Sequence, residues 1–472
     1  MKTSSLLVAF GLVLFSTLLT KASTAEVTPQ TSIGRASADS NSRADHCDGE
    51  PCDAAARGFR AFFDRQLDGL KGNGRACADC HMPSDSFQLS PASVEARFQL
   101  LQWRRQRNPD ANDPLFRPID ADDFRTSGDN ASDFSTLRQS GLIRITFPLP
   151  PNIRLIDPAT NQPSWETEVD VWRSVPTVND VALTGPDSGI LWPRGPNEAG
   201  GYQLDGRFST LQEQALAALT NHAQIVHAPS QRLLDDLSSF QRALFTNERV
   251  RALSDAVRQG TVPLPDPDRK LNVLERQGKA VFERACAQCH GGPGQSTPQA
   301  TLNDPPAPVI RFHNIFSQCP RPVDPTARYV FAACSPQLAR HVRTYAIALS
   351  IATPGPGGTT LQPGDIVRRT SSDPGRALLT GFVGGPAPRD DWEKFDVPGL
   401  RGISRTAPYF INNSAATLEE MLDHYDALFR RAEVNFVPGG VVPPIATTDG
   451  VHFDRRPLPE ERAALLAYLK AL

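Results

Sequence analysis

Two five-residue segments constrain this chain more than anything else in it. Cys77-Ala78-Asp79-Cys80-His81 and Cys286-Ala287-Gln288-Cys289-His290 both read C-x-x-C-H, one in each half of the 472 residues. Two thiols separated by two residues reach the two vinyl groups on one edge of a porphyrin, and the adjacent imidazole then lies beneath the iron. A zinc site needs four ligands together, and the other cysteines lie far off in sequence. A redox dithiol has no need of the following histidine. The motifs therefore predict two covalently bound haem c groups. Cys77, Cys80, Cys286 and Cys289 form the thioethers, and His81 and His290 are the proximal iron ligands.

Composition sets the outer limits. With 39% hydrophobic residues, 21% charged residues and a net charge of −3, the chain is neither wholly disordered nor a basic nucleic-acid binder. Its 42 prolines against 33 glycines predict long, stiff connections rather than an idealised bundle. Residues Leu6 to Leu19 follow Lys2 and precede Ser23-Thr24-Ala25. This apolar run is too short for a stable membrane span and has the order of a secretory signal, cleaved near Ala25. Export to an oxidising compartment favours disulfides. The simplest pairs are Cys47–Cys52 and Cys319–Cys334, with two other pairings open.

The surroundings of the two motifs follow one plan. Gly58 to Leu70, with Phe59, Phe62 and Phe63, and Leu271 to Arg284, with Leu274, Gly278, Val281 and Phe282, are predicted helices that lead into the motifs. Each half then closes on an apolar-periodic helix, Gln231 to Leu253 and Pro459 to Leu472. Helix, C-x-x-C-H, long loops and closing helix is the plan of a class I cytochrome c domain. The expected fold is mainly α: two cytochrome c-like haem domains in tandem with long Pro-rich loop insertions, Asn108–Ser164 and Gly291–Pro325. The expected division is residues 1–25 signal peptide, 26–258 first haem domain, 259–268 linker and 269–472 second haem domain. The linker is read from three prolines and two aspartates in Gln259–Asp268.

Further residues resemble a family. Arg173-Ser-Val-Pro-Thr-Val-Asn179, Asp205-Gly206-Arg207 and Leu211-Gln-Glu-Gln214-Ala215 resemble the first domain of bacterial dihaem cytochrome c peroxidases. Val397-Pro-Gly-Leu-Arg401, Thr406-Ala-Pro-Tyr-Phe410 and Ser414-Ala-Ala-Thr-Leu-Glu-Glu420 resemble the second domain of the same family, in the right order. The superfamily also includes MauG and the dihaem rubber oxygenases. The resemblance implies a periplasmic oxidoreductase with two neighbouring haems. It also implies a calcium ion held by an Asn side chain and two backbone carbonyls, here at Asn179, Thr406 and Pro408. Oxygen ligands suit that hard cation. The implied partners are hydrogen peroxide or oxygen and a small electron-donor protein, a cytochrome c or a cupredoxin.

The sixth iron ligands decide the chemistry, because an electron-transfer haem is normally closed by His or Met and a reactive one keeps a position free. Members of the family carry a distal histidine in the first half. Here no His stands between His81 and His222, and Met82 follows the proximal ligand too closely to cross the ring. The first haem is expected to be open, with His222 and His227 available to line its pocket. For the second haem, Met421, His424 and Tyr425 fall on one predicted helix, Thr417 to Arg430. Neighbouring helical residues point about 100° apart. Tyr425 matches the family's ligand position, His424 stands one residue off it, and Met421 is third.

Several positions depart from the family. An acidic residue that assists O–O cleavage is expected ten positions after Gln214, where this chain has Gln224, an amide that cannot act as a base. Gln224 is expected near the distal side of the first haem, with Gln214 and His222. The family's Trp before Asp-Gly-Arg is Leu204, with Trp192 and Tyr202 nearby, and its PYFH reads PYFI, ending at Ile411. Two functions of different class follow: a periplasmic dihaem oxidoreductase that activates peroxide or oxygen at the first haem with electrons relayed by the second, or an electron-transfer cytochrome with both irons closed.

Overall fold

The helices that frame the motifs are α1 (Cys52–Phe63), α2 (Pro91–Arg105), the short α3 (Pro118–Ala121), α4 (Leu211–Asn221), α5 (Gln231–Arg242), α6 (Glu248–Gln259), α7 (Val273–Ala285), α8 (Leu418–Val434) and α9 (Arg462–Leu469). The computed structural model describes residues 46–47, 50–67, 69–121, 134–186, 201–287, 289–296, 312–313, 339–385, 390–434, 445–446, 452–453 and 457–472. The expected signal segment, Trp192, Cys319, Cys334 and much of the Gly291–Pro325 insert lie outside the described residues. From Asp45 onward the chain clusters as one compact unit. Among the described residues no helix is long and apolar enough to cross a membrane.

Two helix crossings repeat one design. α1 buries Ala54, Ala55, Gly58 and Phe62 along one face, and α5 buries Leu234, Leu237, Ser238 and Gln241, at the spacing of a helical stripe. A Cβ on Gly58 would stand 1.8 Å from the Asp236 carbonyl oxygen and 2.7 Å from the Phe240 Cβ. Only glycine lets the two backbones approach this closely. Arg57 then grips Asp236 with two hydrogen bonds of 2.7 Å. In the second half, a Cβ on Gly278 of α7 would stand 1.9 Å from the Ala464 carbonyl oxygen and 2.8 Å from the Tyr468 Cβ on α9. α7 begins at a capping box: Glu275 N–H donates to Asn272 Oδ1 at 2.9 Å, and Asn272 N–H donates to Glu275 Oε2 at 2.8 Å.

Two helices differ from those expected in the sequence. α1 lies earlier than Gly58–Leu70, because the chain leaves the helix after Phe63 and Leu67 takes a left-handed backbone at φ 45°. The closing helix Gln231–Leu253 is two helices. Asn247 caps α6 by accepting from Arg249 N–H at 2.9 Å, and Thr246 N–H is drawn to Asp180 Oδ1 at 2.8 Å.

The fold is helix-rich, and a strand module is added to it. β1 (Leu142–Pro148) pairs antiparallel with β3 (Glu168–Ser174), Ile145 opposite Val171. β2 (Ile153–Leu155) and β5 (Ile366–Ser371) flank β4 (Arg343–Ala348) in the order β5-β4-β2. Phe147, Ile153, Val171, Tyr345, Ile347 and Trp392 form its core. Arg173 on β3 ties the module to the rest. It donates to Asp373 Oδ2 at 2.6 Å and Oδ1 at 2.9 Å and bonds Asp205 through Nη1, with its guanidinium over the rings of Phe147 and Phe395. A buried cation is tolerated because two carboxylates neutralise it.

Candidate functional site

Both motifs fold into the same turn. His81 N–H donates to Cys77 O at 2.9 Å, and His290 N–H donates to Cys286 O at 2.9 Å. Cys80 and Cys289 close the inner turn on the same carbonyls at 3.2 and 3.1 Å. The first turn is pinned by Asp79, 2% exposed, whose carboxylate accepts from Ala76 N–H at 2.9 Å, Arg65 Nη2 at 2.6 Å and Arg97 Nη2 at 2.9 Å. Burial opposes its charge, but these donors outweigh burial and hold the Asp79 carboxyl below the usual carboxylate range. Cys77, Cys80 and Cys286 stand outside any disulfide, and burial pushes each thiol up to about 12. Cys52 is disulfide-bonded. The side chain of its expected partner Cys47 lies outside the described residues, as does the Cys319–Cys334 pair.

The histidines are oriented alike. His81 Nδ1 lies 3.0 Å from the Phe87 carbonyl oxygen. His290 Nδ1 lies 3.1 Å from the carbonyls of both Gln295 and Pro398. A carbonyl only accepts, so Nδ1 carries the proton in each ring and Nε2 keeps its lone pair. Burial pulls the His81 imidazole down to about 4, which keeps it neutral. A neutral imidazole whose remote N–H is spent on a backbone carbonyl is the state of a histidine that binds a metal. The donor chemistry of both boxes therefore fits an axial histidine beside two thiols. Among the described residues no three His, Cys, Asp or Glu side chains gather into another metal cluster.

Each box opens on a cavity. The smaller, about 80 Å³, is walled by Cys77, Cys80, His81, Gln214, Ala218 and His222 among others. The larger, about 470 Å³, lies within the range of ligand and cofactor sites and includes Cys286, Cys289, His290, Met421 and Tyr425 in its wall. Ser174, Pro176, Gln203 and Leu204 line both cavities. Leu204, where the family has Trp, thus stands in the wall that the two sites share.

The structure sorts the residues singled out in the sequence. Gln214 and His222 line the smaller cavity. Gln224 does not: it is exposed, at φ 50°, and its Oε1 accepts from Asn73 Nδ2 at 3.1 Å. The count of ten from Gln214 runs off the end of α4 at Asn221 into a left-handed turn, so helical register no longer aims that side chain. His227 is also exposed and outside the wall. At the second box, Tyr425 and Met421 line the cavity, whereas His424 is 4% exposed and packs its ring 4.4 Å from that of Phe410. Burial, with Cys289 and Cys286 close by, pushes the Tyr425 phenol well above its ordinary value. Asn179, Thr406 and Pro408 all border the larger cavity. Asn179 Nδ2 donates to Ser86 O at 3.3 Å.

Two residues of this site were not anticipated. Asp120 on α3 bonds His222, and Arg75 bonds Asp120. Asp120 sits in an insert without periodicity, and no sequence signal marks it.

Neither a family model nor a curated relative matches the sequence. Among solved structures the chain is similar to a MauG-like protein associated with microbial copper homeostasis, at 18% identity and TM-score 0.41 over 89% of this chain and 88% of that one. It is similar to the diheme peroxidase BthA from Burkholderia thailandensis at 17% identity and TM-score 0.37, over 89% and 86%. It is also similar to the hydrazine synthase of Kuenenia stuttgartiensis at 15% identity and TM-score 0.34, over 89% and 88%.

Proposed function

We propose that this chain is a periplasmic dihaem c-type oxidoreductase of the cytochrome c peroxidase and MauG type. It activates hydrogen peroxide or oxygen beside His81 and receives electrons by way of the second haem from a small redox protein. One observation carries the reading: two C-x-x-C-H turns of the same construction each hold a histidine with its Nδ1 proton on a carbonyl, and their cavities share a wall. A haem bound at each box supplies reversible one-electron iron chemistry and, where its sixth position is free, a place for a small oxidant.

The residues take the following parts. Cys77 and Cys80, and Cys286 and Cys289, hold the two macrocycles by thioethers, and the carbonyls of Phe87 and Pro398 orient His81 and His290. Tyr425 closes the second site, in preference to His424, because it is the one of the two that borders the cavity. The first site stays open: Ala218 and Leu219 keep part of its wall apolar, and Gln214 and His222 supply polar groups. Ser174, Pro176, Gln203 and Leu204, which line both cavities, would stand on the route of electrons between the sites. Asn179, Thr406 and Pro408, which border the larger cavity, would hold a calcium ion through oxygen ligands. The chain divides at residues 259–268 into two haem domains, 26–258 and 269–472, behind a cleaved signal peptide.

The test is to load the protein with haem in a host that matures c-type cytochromes, reduce both haems, and add one equivalent of peroxide. Reoxidation of both haems by that equivalent supports the reading. Haems that stay reduced on the timescale of stopped flow overturn it in favour of an electron carrier.

A further inference from the structure

His222 hangs from a buried relay. Its Nδ1 lies 2.8 Å from Asp120 Oδ2, and Arg75 Nη1 meets the same oxygen at 2.5 Å. Arg75 also donates to the carbonyls of Pro114 at 2.9 Å, Leu115 at 2.8 Å and His222 at 3.4 Å. Asp120 and Arg75 are 3% and 2% exposed, while the His222 side chain keeps 27%. The histidine's own backbone is held as well, since Asn73 Nδ2 donates to His222 O at 2.9 Å. Burial disfavours the charge on Asp120, yet Arg75 and His222 outweigh it and hold that carboxyl below the usual range. The other carboxylate oxygen, Oδ1, is buried without a hydrogen-bond partner. A carboxylate accepts only, so Nδ1 of His222 donates its proton to Asp120, and Nε2 is the nitrogen left to meet a ligand.

From this geometry we propose that His222 is the proton acceptor of the smaller cavity, and that Asp120 and Arg75 are its positioning residues. The ligands it serves are small weak acids that must lose a proton to bind, of which peroxide and hydrogen cyanide are two. The proton leaves the ligand and forms an N–H bond at Nε2. The ligand remains as its anion, the imidazole becomes imidazolium, and Asp120 stays ionised to face the new charge. Nothing is oxidised or reduced in this transfer. The other ionisable groups on the same wall are otherwise committed: Cys77 and Cys80 would hold the macrocycle, His81 bonds Phe87, and Arg173 bonds Asp205 and Asp373. The inference rests on the reading of this cavity as an open haem site.

The test uses the full chain with both haems and two ligands. Cyanide must shed a proton to bind ferric iron; carbon monoxide binds ferrous iron with none to lose. Asp120→Asn removes the positioning charge, and His222→Gln, at a part-exposed residue, removes the acceptor with less risk to folding. General acid–base groups contribute about 10²- to 10⁴-fold, so both variants should slow cyanide association at least roughly tenfold and leave carbon monoxide association within about twofold. Should Asp120→Asn not fold, His222→Gln alone decides. An unchanged cyanide rate in His222→Gln, or equal slowing of both ligands, overturns the proposal while the open site stands. A wild-type ferric protein that takes up no cyanide beside His81 overturns the open-site reading, and the proposal with it.

Discussion

His290 lies 3.1 Å from the carbonyl of Pro398, a partner 108 residues further along the chain. The second C-x-x-C-H box is therefore oriented by the Val397-Pro-Gly-Leu-Arg401 segment and not by its own turn alone. The same segment is anchored by Arg401, which donates to the Pro293 carbonyl at 3.0 Å. Replacing Arg401 with Leu should loosen the Pro398 carbonyl and shift the second haem's absorption and potential, leaving the first unchanged. Separate titrations of the two haems would check it.

Glycine at the two helix crossings is a steric requirement. Gly58→Ala and Gly278→Ala each place a methyl within 2 Å of a backbone oxygen. Overpacking of this kind costs about 1–3 kcal/mol or more. Each variant should lower the denaturation midpoint and reduce haem loading at the box beside it. Gly260 meets nothing within 4 Å but takes a left-handed backbone at φ 66°, so Gly260→Ala should cost backbone strain alone, with no steric clash and no loss of haem.

Tyr425 and His424 separate by their surroundings. Tyr425→Phe should remove the sixth ligand of the second haem and turn its ferric signal from low to high spin. His424→Phe should leave the spin state alone. Magnetic circular dichroism of the two variants would decide between the neighbours.

The two thiol pairs can be counted. Replacing Cys77 and Cys80 with Ala should leave one covalent haem, and replacing Cys286 and Cys289 as well should leave none. Intact-protein mass spectrometry reads the number directly.

Stability should respond to pH through Asp391. Burial raises this carboxyl above its ordinary value, only partly offset by the Thr380 hydroxyl that donates to Oδ2 at 2.7 Å. The folded state thus holds its proton more tightly than the unfolded chain. The contribution is fully present below the unfolded value of about 3.9 and is lost as the pH rises through the folded value. Asp391→Asn should therefore stabilise the protein at pH ~7 relative to wild type and do so less at pH ~4. Urea unfolding at both pH values would measure the difference.

Much of the site was legible because its signals are local. The boxes, the apolar stripe of α7 and the closing helix α9 are each written within about five turns of chain. The strand module was not, since β4 finds β2 and β5 across distant sequence and Arg144 interrupts the apolar run of β1. Arg144 is buried there because the carbonyls of Pro118 and Ile119 accept from it, both at 3.1 Å. Asp120 was invisible for the same reason: its partner His222 lies 102 residues away. Gln224 was misplaced because register was carried past a helix end.

Electron paramagnetic resonance of the ferric, fully loaded protein separates an open first haem from a closed one, because it reads the spin state of each haem at rest. One high-spin signal is expected from the haem at His81, and one low-spin signal from the haem at His290 closed by Tyr425. Two low-spin signals, unchanged by cyanide, would contradict that assignment and identify an electron carrier with both irons closed.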